Sequence, residues 1–229
     1  MELLQSTDFW IGLMKIIWIN IILSGDNAVV IALAARSLPP HQQKKAILFG
    51  SGAAVVLRII LTVVAVQLLA LSYLQIIGGP LLLWIGVQLL SEEDEEEEGD
   101  VKQASLMAAI RTILIADIVM SLDNVIAVAA AAKGSNTLLI IGLAISIPLV
   151  IFGSTLMIKL MERFPIIITL GACLIGWVGG ETVANDVVLK EFGQANTWFH
   201  MACAAAGAVI VLGWGKFKSA QHHKAVEAE

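Results

Sequence analysis

Residues 46–71 read AILFGSGAAVVLRIILTVVAVQLLAL, 26 residues carrying a single charge, Arg58. At ~1.5 Å per residue such a helix is longer than the roughly 30 Å hydrocarbon core of a bilayer. The apolar residues are continuous, without the alternation of a lipid-facing barrel strand. Lipid offers no partner to a free backbone group, so a run of this length reads as a membrane-spanning helix. The same texture covers the chain. Of 229 residues, 58% are hydrophobic and 14% charged, and mean hydropathy is +0.86. Soluble domains hold about 45–50% apolar and about 25% charged residues. The expectation is an all-α polytopic membrane protein, one transmembrane domain over residues 1–229.

Outward from that run, the sequence predicts seven transmembrane helices: Phe9–Ala35, Gln43–Leu71, Tyr73–Leu90, Gln103–Ala132, Thr137–Met161, Pro165–Thr182 and residues 197–215. Pro39-Pro40 closes the first. Gly78, Gly79 and Pro80 predict an irregular start to the third. Pro165 suits a helix start. Residues 91–102 form the one long polar stretch, and its seven acidic residues, Glu92 to Glu98, account for the net charge of −5. A run of this kind reads as a solvated linker. The bilayer is the implied partner; no basic cluster suggests nucleic acid. Cys173 and Cys203 lie in apolar runs and read as buried free thiols. His222 and His223 read as an ordinary tail. The N-terminus lacks the basic start of a signal peptide.

Lysine and arginine concentrate on alternate loops. Arg36, Lys44, Lys45, Lys102, Arg111, Lys159, Arg163, Lys216, Lys218 and Lys224 fall on one side, against Lys15, Lys133 and Lys190 on the other. Positive loops stay inside. The N-terminus is therefore expected outside a bacterial plasma or inner membrane, and the C-terminus and acidic linker in the cytoplasm. Trp10 and Trp198 would then sit at the outer interface and Trp214 at the inner one.

The chain also repeats itself. Residues 24–27 read SGDN and residues 121–124 read SLDN, 97 apart, and Asn20 matches Asp117 at the same offset. Farther on, GGPLLLWIGVQLL from Gly78 aligns with GACLIGWVGGETV from Gly171, 93 apart. This predicts two repeats of three helices, residues 9–90 and 103–182, plus a seventh helix. An odd number of crossings per unit inverts the second relative to the first, an arrangement that places transporter sites at the midplane.

Intramembrane charges are costly and usually face a bundle interior or a water-filled cavity. The candidates are Asp26, Arg58, Asp117 and Asp123, escorted by Asn20, Ser24, Asn27, Ser121 and Asn124. The oxygen-only ligand set Asp26, Asn27, Asp123, Asn124, Asp117 and Asn20 suits Mg²⁺, Ca²⁺ or Mn²⁺ better than Zn²⁺ or Cu⁺; protons or Na⁺ stay open. The same residues could instead form a network that only locks helices together, with Arg58 neutralising one aspartate. Asn20, Ser24 and Asn27 share a helical face, as do Asp117, Ser121 and Asn124, whereas Asp26 and Asp123 point elsewhere. One shared site requires the helix to unwind at the motifs. Gly25 permits that; Leu122 does not obviously do so. Straight helices would give a ladder: inner Asp26, central Asn20 and Asp117, outer Asp123.

With SGDNAVVIA at 24–32, SLDNVIAVAA at 121–130 and the small-residue run around Arg58, the chain resembles the TerC-type integral membrane proteins, in particular their YjbE-like branch. The resemblance covers about 200 residues and extends to the broader LysE-like exporter superfamily. It implies a secondary transporter exporting a divalent metal cation, Mn²⁺ above all, as substrate, with no prosthetic group. The family's motif aspartates carry over to Asp26 and Asp123, its asparagines to Asn27 and Asn124. Two other functions compete: a LysE-like exporter of a small organic solute, and a non-transporting membrane scaffold in stress response. An enzyme is not expected, because no nucleophile–base set or nucleotide-binding loop is present. Oligomeric state is left open, a homo-oligomer included.

Overall fold

The computed structural model describes residues 7–23, 25–64, 71–97, 105–132 and 135–226. Among these, every long element is helical. In chain order they are α1 (Thr7–Leu23), α2 (Gly25–Ala35), α3 (Pro40–Val63), α4 (Leu74–Glu97), α5 (Leu106–Ala132), α6 (Asn136–Arg163), α7 (Ile166–Ala184), the short α8 (Lys190–Ala195) and α9 (Trp198–Val226). Five described stretches are long and apolar enough to cross a membrane: Pro40–Val63, Leu74–Ser91, Thr137–Arg163, Ile166–Ala184 and Trp198–Lys218. The helix α5 is 27 residues long, and α1 and α2 are shorter apolar helices.

Local chemistry sets several boundaries. Pro39 and Pro40 open α3, where a missing N–H costs nothing. The Ser135 side chain caps α6 by accepting from the Leu138 N–H at 3.3 Å. Other boundaries depart from the expected ones. Where a single helix is expected over Phe9–Ala35, the described residues form α1 up to Leu23 and α2 from Gly25, and Ser24 lies outside the described residues. The start of α4 is regular despite its glycines, because Pro80 falls in its second turn, where its missing N–H orphans only one carbonyl. The irregularity sits one residue earlier, at Tyr73, whose φ is 69°. The helix also continues six residues into the acidic stretch, to Glu97. Likewise α9 runs to Val226, well past the expected end. Glutamate and lysine are good helix formers, and a helix entering water need not stop at the membrane surface. Cys173 and Cys203 are free but only half-buried.

Glycines set the close approaches. Gly50 of α3 lies against Ile113 of α5, and Gly142 of α6 against Ile16 of α1. A Cβ on Gly79 of α4 would lie 2.5 Å from the Gly179 carbonyl of α7, and one on Gly176 of α7 would lie 2.6 Å from the Gly207 carbonyl of α9. Close backbone approach through small residues is how helices associate where lipid removes the hydrophobic drive.

The core is split. One apolar cluster gathers Val29–Ala35, Ala46, Ile47, Ala109–Met120 positions and Val150–Met161 positions. Another gathers Leu13, Ile16, Val55, Val128, Ala132, Leu138, Leu139 and Leu143. Along α5, α6 and the α1–α2 path, the two clusters lie on opposite sides of the polar residues Ser121, Ser146, Asp26 and Asn27.

Candidate metal centre

The polar layer is built first from α3 and α5. Arg58 is 4% exposed and Asp117 6%. Arg58 Nη2 donates to Asp117 Oδ1 at 2.5 Å, and Arg58 Nε donates to Ser121 Oγ at 3.0 Å. Ser121 Oγ donates in turn to Asp117 Oδ2 at 3.2 Å. Asp117 and Ser121 are one turn apart on one helical face, as their spacing predicts. Arg58 reaches them because a helical side chain leans back over the preceding turn. A buried charge pair holds only when its remaining donors and acceptors find partners, and Ser121 supplies one.

The start of α2 brings in the second part. Asp26 lies in the first turn of α2, half-buried, and its Oδ1 accepts from the Asn27 N–H at 2.8 Å. It is within electrostatic reach of Arg58, which attracts it, and of Asp117, which repels it. Asn27 is 4% exposed. Asn124 is half-buried on α5. The side chains of Asn20, Ser24 and Asp123 lie outside the described residues. Of the six expected ligands, Asp26, Asn27 and Asp117 thus belong to one polar layer. No group of three His, Cys, Asp or Glu side chains converges among the described residues. The oxygens of Asp26, Asn27 and Asp117 are carboxylate and amide, the kinds that Mg²⁺, Ca²⁺ and Mn²⁺ take.

A further polar centre escaped the sequence reading. Asp186, between α7 and α8, is 1% exposed. Its carboxylate accepts from the N–H groups of Tyr73 (3.2 Å), Gln75 (3.0 Å), Ile76 (3.2 Å) and Val188 (2.9 Å). Burial pushes its pKa up, but the four backbone donors together outweigh that and hold it below the ordinary carboxylate value. Asp186 therefore caps α4 from a loop more than 100 residues away.

Comparison with known proteins places these features in a context. The model of the integral membrane protein TerC family matches residues 5–223. The uncharacterized membrane protein YjbE of Bacillus subtilis is 47% identical over 81% of this chain and 84% of its own length. The uncharacterized membrane protein YkoY of the same organism is 27% identical over 90% of this chain and 71% of its own length. The UPF0053 inner membrane protein YoaE of Escherichia coli is 26% identical over 81% of this chain but only 39% of its own length. No solved structure matches.

Proposed function

The chain belongs to the TerC family of integral membrane proteins, and from that premise we propose that it is a secondary transporter of a divalent metal cation, with Mn²⁺ efflux as its physiological direction. One observation carries the reading: a buried Arg58–Asp117 pair joining α3 to α5, with Asp26 of α2 within its electrostatic reach. Buried ionisable groups within a membrane mark substrate and ion pathways.

Alternating access by two inverted repeats, within seven crossings, completes the proposal, and the packing supports it. Ile16 and Ile113 are 97 residues apart, as the two motifs are, and each fits against a glycine, Gly142 and Gly50, which are 92 apart. Thr62 Oγ1 donates to the Arg58 carbonyl at 2.7 Å and Ser154 Oγ to the Val150 carbonyl at 2.8 Å; both donor and acceptor positions again differ by 92. On α3 the residues Ala46, Ile47, Gly50, Ser51, Ala54, Arg58 and Thr62 are buried. On α6 the positions 92 later, Leu138, Leu139, Gly142, Leu143, Ser146, Val150 and Ser154, are buried too. These paired spacings support reading the α3–α5 contact and the α1–α6 contact as counterparts under exchange of the repeats, although buried Val55 has a half-buried counterpart, Ile147. An inside-out vesicle assay tests the function: Mn²⁺ uptake should follow the protein, and Ca²⁺ and Mg²⁺ should compete. Uptake equal to that of empty vesicles at matched expression would remove the transport reading in favour of a scaffold.

A further inference from the structure

The surface between α4 and α9 is grooved. The two helices run parallel and touch through glycines: Gly86 lies against Val211, and Gly215 against Leu90. Beside that contact larger side chains stand apart and leave a groove of about 600 Å³, within the size range of ligand sites. Leu83 and Val87 of α4 and Ile210 of α9 supply its apolar wall. Ile210 and Lys218 are eight residues apart on α9, which sets its length at about 12 Å. Toward the C-terminal ends of both helices it becomes polar, with Gln88, Trp214 and Lys218. Lys218 is exposed, and a helical side chain leans toward its helix's N-terminus, so this one turns back along α9 toward Trp214.

The repeats show what does not fit there. At the offset of 93 that aligns Gly78 with Gly171, Leu83 and Val87 match Gly176 and Gly180. Those two glycines of α7 seat α9, against the carbonyls of Gly207 and Cys203. In α4 the same positions carry full side chains, and no glycine is among the described residues that line the groove. Helices in lipid associate through small residues. The groove is therefore shaped for something thinner and more pliable than a helix of a second copy, and an acyl chain is both. The polar end decides the rest. Position 92 follows Gln88 by one turn of α4, and Glu92 opens the run of seven acidic residues to Glu98. A groove ending between a lysine on one helix and an acidic run on the other suits a head group that carries both signs.

We propose that this groove holds one phosphatidylethanolamine molecule, with an acyl chain along Leu83, Val87 and Ile210, its phosphate at Lys218 and its ammonium toward the acidic end of α4. A net anionic lipid would bring an unbalanced charge to the acidic run, and repulsion between like charges reaches about 8–10 Å at physiological salt. The leaflet is the one on the side of the acidic stretch, expected to be the cytoplasmic one. The lipid would tie α9 to the first repeat, and the proposal does not depend on the transport reading.

The test is native mass spectrometry of the purified full chain in detergent, given phosphatidylethanolamine, phosphatidylglycerol or phosphatidylcholine with identical acyl chains. Thermal unfolding is recorded for every variant. One phosphatidylethanolamine per chain should be retained, at least fivefold over the other two. Lys218→Gln should cut that retention at least fivefold with the melting temperature in detergent alone unchanged. Lys216→Gln, two residues away on the other side of α9, should leave it as in the wild type. Ile210→Trp, at a position 46% exposed, should fill the groove and cut retention with Lys218 still present. Neutralising Glu92–Glu98 as Gln and Asn should move the preference toward phosphatidylglycerol. Equal retention of the three lipids, or equal losses from Lys216→Gln and Lys218→Gln, would mean annular lipid only and overturn the proposal. A preference of the wild type for phosphatidylglycerol would overturn it too, as would free phosphoethanolamine raising the melting temperature as much as the lipid does. A doubled mass without lipid, returned to one chain by Ile210→Trp, would make the groove an interface between copies and overturn it as well.

Discussion

In the first motif, Ser24-Gly25-Asp26-Asn27, the last three residues open α2; in the second, Ser121-Leu122-Asp123-Asn124, all four lie inside the helix Leu106–Ala132. Three of the four residues agree, and the second does not. Glycine is about 1 kcal/mol worse than alanine inside a helix, whereas leucine is among the best helix formers. Asp26 accepts its neighbour's N–H, a local bond that competes with the helical ladder. Leu122 is 5% exposed, so packing reinforces helix there as well. The neighbours differ in the same sense. Ser121 is fixed by Arg58 and Asp117, so the continuous helix is also the cross-linked one. The comparison teaches that two motifs alike in three residues of four sit differently: one opens a helix, and the other lies inside a helix cross-linked to α3.

The largest effect should come from the aspartates of the two motifs. Asp26→Asn and Asp123→Asn each keep the side chain's size and remove its charge. Each is expected to reduce Mn²⁺ export to the level of empty vesicles at matched expression. They should fail differently if the halves have different roles. Asp26→Asn should weaken loading from the cytoplasmic face, and Asp123→Asn should spare that loading while blocking release. Equal loss of cytoplasmic-side binding in both would merge the two motifs into one site and erase the distinction.

A middle-sized effect should separate backbone from charge. Nothing lies within 4 Å of the position a Cβ on Gly25 would occupy, so Gly25→Ala meets no steric barrier. It favours a continuous helix by about 1 kcal/mol, or roughly a fivefold shift in population. Flux should fall by about that factor with the melting temperature unchanged or raised. Leu122→Ala should do the reverse: it leaves the helix intact but removes a buried side chain, at a cost of about 2–5 kcal/mol in stability. If Gly25→Ala leaves flux at the wild-type rate, the backbone freedom of Gly25 is incidental to transport.

The membrane helices were legible because burial in lipid imposes length and apolarity on each segment separately. The interplay of Arg58 with Asp117 was less so. The two are 59 residues apart, and nothing in either helix alone says which aspartate the arginine meets. Helix ends beyond the bilayer were misjudged for a related reason. Hydropathy marks where the membrane stops; Glu97 and Val226 show that the helix need not stop with it. Asp186 was invisible because a lone aspartate after an apolar helix looks like any turn residue, and its partners Tyr73, Gln75 and Ile76 belong to another helix start.

That residue gives the smallest and cleanest test, since the same Asp→Asn change applied there should spare transport. Asp186 joins the end of α7 to the start of α4, outside the polar layer, and holds Tyr73 in its left-handed conformation through one of its four N–H contacts. Its carboxylate titrates below the ordinary carboxylate value because those N–H groups favour the charged form over the opposing effect of burial. The sign follows from the depressed folded-state pKa. The stabilisation is fully present above the unfolded value, about 3.9, and is lost as pH falls through the folded value. Asp186→Asn keeps an acceptor oxygen but no charge, so it should cost about 1–3 kcal/mol near neutral pH. Other carboxylates titrate in the same acid range, so the informative quantity is the difference in melting temperature between wild type and variant. That difference should be constant from pH 7 to about pH 5 and shrink below about pH 4, where the wild-type carboxylate takes up its proton. Mn²⁺ flux at neutral pH should match the wild type in folded protein. A loss of flux as deep as that of Asp26→Asn, without loss of stability, would show that the division between structural and transporting carboxylates is drawn in the wrong place.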